Sequence, residues 1–455
     1  MLWALGVGYV VSGDYFGWNF GLRPAGHMGL VVATLVMALL YTALIFTIAE
    51  LATSTPVAGG AFAFARRALG PFGGFLTGLA VTLEYTLAPA AIAAGMAGYV
   101  AGWVEGTGAQ WIVGWVPLVS YAACVLVNLA GVGVSLRALL VVTALAVVAL
   151  VLWGVAVVVG MPAGAWSRLG DNVSTMPPIA GVMAALPAAG WFFLAIEGVP
   201  MAAEETRDPA RDLPRGMISG MATLVVLAFA VLLLAPLAVD PGVLAGSANP
   251  LPAALEATLG RGLVFDVVTA VGLVGLFASM LSIVYACSRQ VFALARAGHL
   301  PTWLARTSGR GVPHVAVIVP SIVGLALLGL AERIAPAEIP AADFVMQVAV
   351  SAALASYVAI CASHIVLRRR EPAMPRPYRT PGGIATPSIA LVLSLVALGA
   401  GFVHGIAGGV VLGATVGLLA NGAIYFAVVV RRRIAGRTLE AELALARDDG
   451  PSVTS

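Results

Sequence analysis

An all-α integral membrane protein of twelve transmembrane helices is the fold class that this sequence predicts, and three observations predict it. The first is composition: of 455 residues, 60% are hydrophobic and only 10% charged, where a soluble domain carries about 25% Asp, Glu, Lys and Arg. Mean hydropathy is +1.00, so lipid has to be the solvent for most of the surface. The second is periodic length. Apolar runs near the roughly 20 residues that span a bilayer occur at 3–22, 29–51, 71–104, 115–130, 138–159, 180–201, 216–239, 263–295, 315–330, 343–367, 388–404 and 409–430. The third is the placement of arginine. The chain has no lysine, and of its 24 basic residues only Arg23, Arg168, Arg261 and Arg333 fall in loops on one side of these segments. That segregation obeys the positive-inside rule with both termini in the cytoplasm.

The elements follow in order. No cleavable signal peptide is read: apolar character starts at Leu2 and is interrupted by Ser12, Gly13 and Asp14. The chain thus begins almost inside its first helix, as it would if a short cytoplasmic lead were missing or the start codon misassigned. Segment one carries Ser12-Gly13-Asp14-Tyr15-Phe16-Gly17 in its middle, and segment six carries Glu197-Gly198-Val199-Pro200. Each run sets glycine, and once proline, beside a carboxylate in an apolar stretch, which weakens the helix. Irregular backbone at membrane depth survives only where protein buries it or where it lines a wet cavity. The breaks lie five segments apart, an odd number, so the two helices enter from opposite sides. This is the pattern of a five-plus-five inverted repeat with its site at the repeat interface. Segments three and eight, also five apart, both exceed a bilayer's needs, which implies tilt or extension. Glycines that merely allow close packing are the bland alternative. The division expected is a ten-helix core over 1–367, two further helices with their preceding loop over 368–430, and a tail over 431–455, with a small surface helix at 439–445.

Three acids fall far from any interface. Asp14 lies about 16 Å into segment one and Glu84 about 20 Å into segment three, at helical rise, while Glu197 sits at the break of segment six. A charge at the bilayer centre costs about 2.5–3.5 kcal/mol on insertion scales. No arginine is expected at matching depth, so the acids are protonated, hydrated or paired with a cation from outside the chain. Asp14 reads either as the counter-charge of an amine or as the N-cap of the second half-helix. Glu197 reads as a substrate ligand, a proton carrier or a gate hydrogen bond, and Glu84 equally as a buried protonated acid. Ser12, Gly13, Tyr15, Gly17 and Gly198 flank these acids, and Tyr85 and Trp191 are candidate pocket walls, although aromatic residues in membrane helices more often only pack. Glu50 and Asp266 lie near interfaces and read as loop or cap residues.

Other chemistry is missing. There is no P-loop, no H-E-x-x-H, no Cys–His cluster at metal spacing and no G-x-S-x-G. Neither an enzyme nor a cofactor is expected, and a net charge of +3 gives no reason to expect nucleic acid. Cys124, Cys287 and Cys361 are odd in number and apolar in context, hence core residues. His27, His299, His314, His364 and His404 fall at segment ends or in loops.

Several pieces of sequence resemble the amino acid–polyamine–organocation transporters along nearly the whole chain. They are Glu50-Leu51 through Thr55-Pro56 to Gly59-Gly60 with Leu69-Gly70-Pro71; Phe193 to Glu197, then Glu204-Glu205, Asp208-Pro209 and Leu213-Pro214-Arg215; and Ser288-Arg289 through Ala295-Arg296-Ala297-Gly298 to Leu300-Pro301. Within that superfamily, Trp3-Ala4-Leu5-Gly6-Val7-Gly8-Tyr9 running into Ser12-Gly13-Asp14-Tyr15-Phe16-Gly17-Trp18-Asn19 looks most like the ethanolamine permeases. The resemblance implies the leucine-transporter fold and alternating-access import of a small amine, ethanolamine, across a bacterial cytoplasmic membrane. It carries a substrate-cavity role onto the segment around Asp14 and onto the break at Glu197.

One feature departs from the resemblance: some proton-coupled members have a lysine in the fifth helix, and residues 138–159 hold no ionisable side chain here. Coupling to H+ or Na+ stays open, with Glu197 or with Ser279 and Ser282 as the ion-coupling candidates. Uniport is also feasible, since a monovalent cation gains about 2.3 kcal/mol across 100 mV. The alternatives are an amino acid or polyamine permease or exchanger, and, outside transport, a channel or membrane sensor. Nothing in the sequence specifies an oligomeric state.

Overall fold

The computed structural model describes residues 2–55, 59–162, 164–166, 178–309, 311–337, 339–401, 405–435 and 441, with the backbone alone at 132–136, 204–205 and 405–406. The surface helix expected at 439–445 lies outside these residues but for position 441. Among the described residues every regular element is helical. Ten helices are long and apolar enough to cross a membrane, and Ala385–Ala400 is a shorter apolar helix. Helices suit this composition because each backbone N–H finds its acceptor within its own segment, without water.

The expected first segment is in pieces: α1 (Leu2–Val10), α2 (Ser12–Tyr15) and a 3-10 turn at Trp18–Gly21. The next helix, α3 (Leu22–Ser54), starts seven residues before the expected 29 and kinks at Gly26, where φ is 64°. Likewise α4 (Gly60–Trp103) begins before the expected 71, with a kink at Gly70. The residue before a proline is disfavoured in the α region, so the chain turns at Gly70 ahead of Pro71 instead of stopping. Next come α5 (Val116–Leu129), α6 (Val132–Gly160) and α7 (Ile179–Trp191). Segment six then loses helical geometry over Phe192–Ala195 and resumes as a 3-10 stretch, Ile196–Glu205. The break therefore lies ahead of Glu197-Gly198-Val199-Pro200, not within it.

Beyond α8 (Pro209–Ala238), two short helices, α9 (Pro241–Gly246) and α10 (Pro250–Leu259), occupy the expected loop. Each opens on a proline, whose missing N–H costs nothing at a helix start, and Asp240 caps α9 by accepting from the Gly242 N–H at 2.8 Å. The remaining helices are α11 (Leu263–Arg296), α12 (His314–Ile334), α13 (Ala341–Arg370), α14 (Ala385–Ala400) and α15 (Gly405–Tyr425). At 34 residues, α11 extends about 51 Å, and α4 has 44; both exceed a bilayer's roughly 30 Å hydrocarbon core.

The long helix α4 packs along α11, α12 and α13, while α3 packs against α7, α8 and α14. Helix α1 lies between α6, α8 and α11. The broken segments thus sit at the centre of the bundle. Peripheral helices bury one side only: α6 buries Ala146, Leu150, Trp153 and Val157 and exposes Val148, Val151, Leu152 and Val155. In water such a face would be a liability; in lipid it is the solvated surface. The three cysteines are buried free thiols, as their apolar surroundings imply.

Candidate functional site

The first break is shallow, then abrupt. Val11 keeps α-helical dihedrals between α1 and α2, but Phe16 is extended (φ −156°, ψ 151°) and Gly17 has φ 95°. Side chains from other helices take up the carbonyls this leaves free. Ser279 donates to the Tyr9 carbonyl at 2.7 Å, Tyr99 to Tyr15 at 2.8 Å, and the Trp191 indole N–H to Phe16 at 2.8 Å. Ser12 lies 2.8 Å from the Ser279 hydroxyl, and the Tyr15 hydroxyl donates to the Ala146 carbonyl at 2.7 Å. Ser12 and Tyr15 are thereby placed by specific bonds to other helices, and Trp191 by its bond to Phe16.

The second break turns on Ala195, which has φ 75°, the only positive φ at a non-glycine among the described residues. A left-handed alanine costs roughly 1–2 kcal/mol, so the surrounding packing must hold it there. The two breaks touch. A Cβ on Gly13 would lie 2.5 Å from the Trp191 carbonyl oxygen and 2.8 Å from the Phe192 Cα. One on Gly17 would lie 2.6 Å from the Trp191 ring. Trp191 therefore bridges the broken backbones.

Glu197 follows at once, buried, with both oxygens engaged. Tyr85 donates to Oε1 at 3.0 Å and Tyr357 to Oε2 at 2.8 Å, with Tyr41 3.5 Å from the Tyr357 hydroxyl. Gly198 lets the backbone come close to Tyr85. Glu84 stands beside Glu197 and the Ala195 backbone, and neither of its oxygens meets a donor at hydrogen-bonding geometry. Two carboxyl groups from helices far apart in sequence thus face each other with hydroxyls on one of them. Tyr41 and Tyr357 escaped the sequence reading. Their only signal is a hydroxyl in an otherwise apolar helix, which many packing tyrosines share.

Asp14 is fully buried, and neither of its oxygens has a hydrogen-bond partner. The capping role considered for it is absent, since Val11 holds the N-cap of α2 and no side chain caps there. Nor does Asp14 share a hydrogen bond with Glu84 or Glu197, so the three acids form a pair and a single group. Of the ion-coupling serines, Ser279 reaches segment one, while Ser282 donates to the Ala278 carbonyl of its own helix at 2.6 Å. Ser282 nonetheless faces Gly8, as does the buried, unpartnered Thr143 hydroxyl of α6.

Two cavities flank the breaks on opposite ends. One, of about 640 Å³, is lined by Trp3 and Leu5 of α1, Ala202, Thr206 and Arg207 after segment six, and Asp212, Arg215 and Ser219 of α8. The other, of about 240 Å³, is lined by Phe20, Gly21 and Arg23, by Ala184 and Pro187 of α7, and by Asp343 and Gln347 of α13. The first touches the leading half of segment one and the trailing half of segment six; the second touches the converse halves.

Glu50 is neither a loop nor a cap residue. Its buried carboxylate accepts from Arg368 Nε at 2.9 Å and the Thr380 N–H at 2.7 Å, with Arg376 Nε at 3.1 Å and His364 Nε2 at 3.2 Å. Arg376 also donates to the carbonyls of Leu367 and Glu371 at the end of α13. Burial and then the Glu50 charge push the nearby Tyr378 hydroxyl up from its ordinary range. This cluster ties α3 to α13 and to the loop before α14. Asp266 is likewise neither a loop nor a cap residue: it lies in the first turn of α11, whose N-cap is Gly262, and accepts from the Trp103 indole at 3.0 Å on the surface.

Residues 2–434 match the amino acid permease family. An uncharacterized transporter of Rhizobium meliloti is 33% identical over 66% of this chain and 65% of its own length, so the chain spans just under two thirds of that relative. The branched-chain amino acid permease BcaP of Bacillus subtilis is 27% identical over 86% of this chain and 84% of its own. The methylthioribose transporter of the same organism is 27% identical over 86% and 85%. None of these three names mentions ethanolamine. With broken central segments, flanking cavities and an apolar exterior, the chain belongs to the amino acid permease family of multi-pass membrane transporters.

Proposed function

We propose that the protein is a secondary transporter that carries a small amino acid by alternating access, in preference to the ethanolamine that its N-terminal motif suggests. The observation that carries this reading is the likeness, along 86% of the chain, to a permease named for branched-chain amino acids. The geometry supports it. A broken helix frees backbone N–H groups at membrane depth, and a zwitterion needs donors for its carboxylate and an acceptor for its ammonium. Asp14, a buried carboxylate without a partner, is the acceptor in this proposal. Twelve spans, a five-plus-five inverted repeat and an arginine-rich cytoplasmic face, with both termini there, belong to the same reading.

Coupling falls to the Glu84–Glu197 pair. Two bare carboxylates side by side repel, so a proton or a cation has to lie between them. Proton symport follows if that proton travels with the substrate.

The test is uptake of labelled L-leucine into proteoliposomes, with and without an inward proton gradient, and with ethanolamine or alanine as competitor. Saturable, gradient-stimulated uptake blocked by alanine and not by ethanolamine supports the proposal. Uptake of labelled ethanolamine that leucine cannot block favours the second reading, which Asp14's lack of a counter-charge motivates. Flux that does not saturate sinks both readings in favour of a channel.

A further inference from the structure

The 640 Å³ cavity lies on the arginine-rich end and has a volume ordinary for ligand pockets. Its walls carry two guanidinium groups, Arg207 and Arg215, and one carboxylate, Asp212. Several other arginines at that end are engaged. Arg67 pairs with Glu371, Arg368 and Arg376 with Glu50, and Arg289 and Arg296 lie over the rings of Tyr285 and Phe292. Among the described residues, the guanidinium groups of Arg207 and Arg215 have no hydrogen bond, ion pair or ring contact. The positive-inside rule accounts for arginines on this face, but not for two unpartnered ones at the walls of one cavity. Trp3 is held in the same wall by its indole bond to Thr223 at 3.0 Å. Gly216 lets α8 close against α1, since a Cβ there would lie 2.5 Å from the Leu2 Cβ.

We infer that this inner cavity is a release-side station that holds the substrate's carboxylate between Arg207 and Arg215. The inference rests on the amino acid reading and on the cytoplasmic placement of this end. Among the described lining residues there is an excess of one positive charge, which attracts carboxylates and repels free ammonium groups, so the cavity sorts zwitterions and acids from simple amines. The larger acid-free wall, Trp3, Leu2 and Leu5, accommodates an apolar side chain. In the opposite cavity Arg23 is matched by Asp343, so of these two cavities only the inner one has excess positive charge among its described lining residues.

Two measurements test this on the full-length protein. Iodide and neutral acrylamide quenching of Trp3 is read as the difference between the wild type and W3F. In the double variant Arg207→Gln, Arg215→Gln, iodide quenching of Trp3 should drop several-fold with acrylamide quenching unchanged. An unchanged iodide response overturns the inference whatever the protein transports. L-Leucine transport is then measured in inverted and in right-side-out membrane vesicles. The double variant should raise KM roughly three- to tenfold in inverted vesicles and leave the right-side-out KM unchanged. Equal shifts on both faces, or none, overturn it. If the wild type carries no amino acid from either face, the functional reading has failed; a positive iodide result then shows an anion-attracting cavity with no substrate role, and the station is rejected.

Discussion

Replacing Glu50 with Gln tests whether the buried cluster at the end of α3 is held by charge or merely by shape. Glutamine keeps the volume and swaps one oxygen for an NH2 group. Oε1 faces Arg368 Nε and Arg376 Nε, and Oε2 faces the Thr380 N–H and His364 Nε2. Either orientation of the amide therefore sets its NH2 against donors. The Glu50 side chain is 2% exposed, and its partners Arg376 and Arg368 are 10% and 22% exposed. Removing one partner of a buried ion pair costs about 3–5 kcal/mol, and the partial hydration of Arg368 brings the expectation to about 3 kcal/mol. The control is Glu371→Gln: its pair with Arg67 is 36% and 30% exposed, and surface pairs contribute about 1 kcal/mol or less. Reversible unfolding of the purified protein, titrated with SDS in mixed micelles, gives both values. Arg368→Gln added to Glu50→Gln should cost little more, because the charge it balanced is gone. Equal losses for Glu50→Gln and Glu371→Gln would refute the reasoning.

Asp14→Asn should leave unfolding free energy unchanged or slightly higher, because no hydrogen bond is lost, while substrate KM rises at least about tenfold; a normal KM in uptake assays removes Asp14 from the site. Tyr357→Phe leaves Glu197 Oε2 without its donor at 2.8 Å and should cost about 1.5–3 kcal/mol in the same unfolding titration, more than Tyr99→Phe, whose acceptor is a neutral carbonyl. Gly13→Ala brings a methyl within 2.5 Å of the Trp191 carbonyl and should destabilise by about 1–3 kcal/mol and abolish uptake; wild-type transport would mean the two breaks do not pack as described. Glu84→Gln in the proposed proton pair should uncouple uptake from the pH gradient, read as leucine accumulation that no longer responds to an imposed gradient.

The membrane class, the helical content and the presence of two interruptions were legible in the sequence, because each depends on a local sum. A run of apolar residues fixes a span, and a glycine beside an acid weakens the helix where it stands. Even the long α4 and α11 showed in the lengths of their apolar runs. The kinks at Gly26 and Gly70 did not, since a hydropathy window reads across a change of direction. The second break shifted to Phe192–Ala195 because packing, and not proline or glycine, holds Ala195 at φ 75°. The relations among side chains came only from the tertiary structure. Glu84 meets Glu197, Trp191 bridges to Phe16, and Glu50 gathers Arg368 and Arg376 from more than 300 residues away. Asp14, which the sequence grouped with the other acids, stands apart. Depth along a helix follows from counting residues, but which side chains share a space depends on the rotation and crossing of helices packed far apart in sequence. No one-dimensional pattern carries that information.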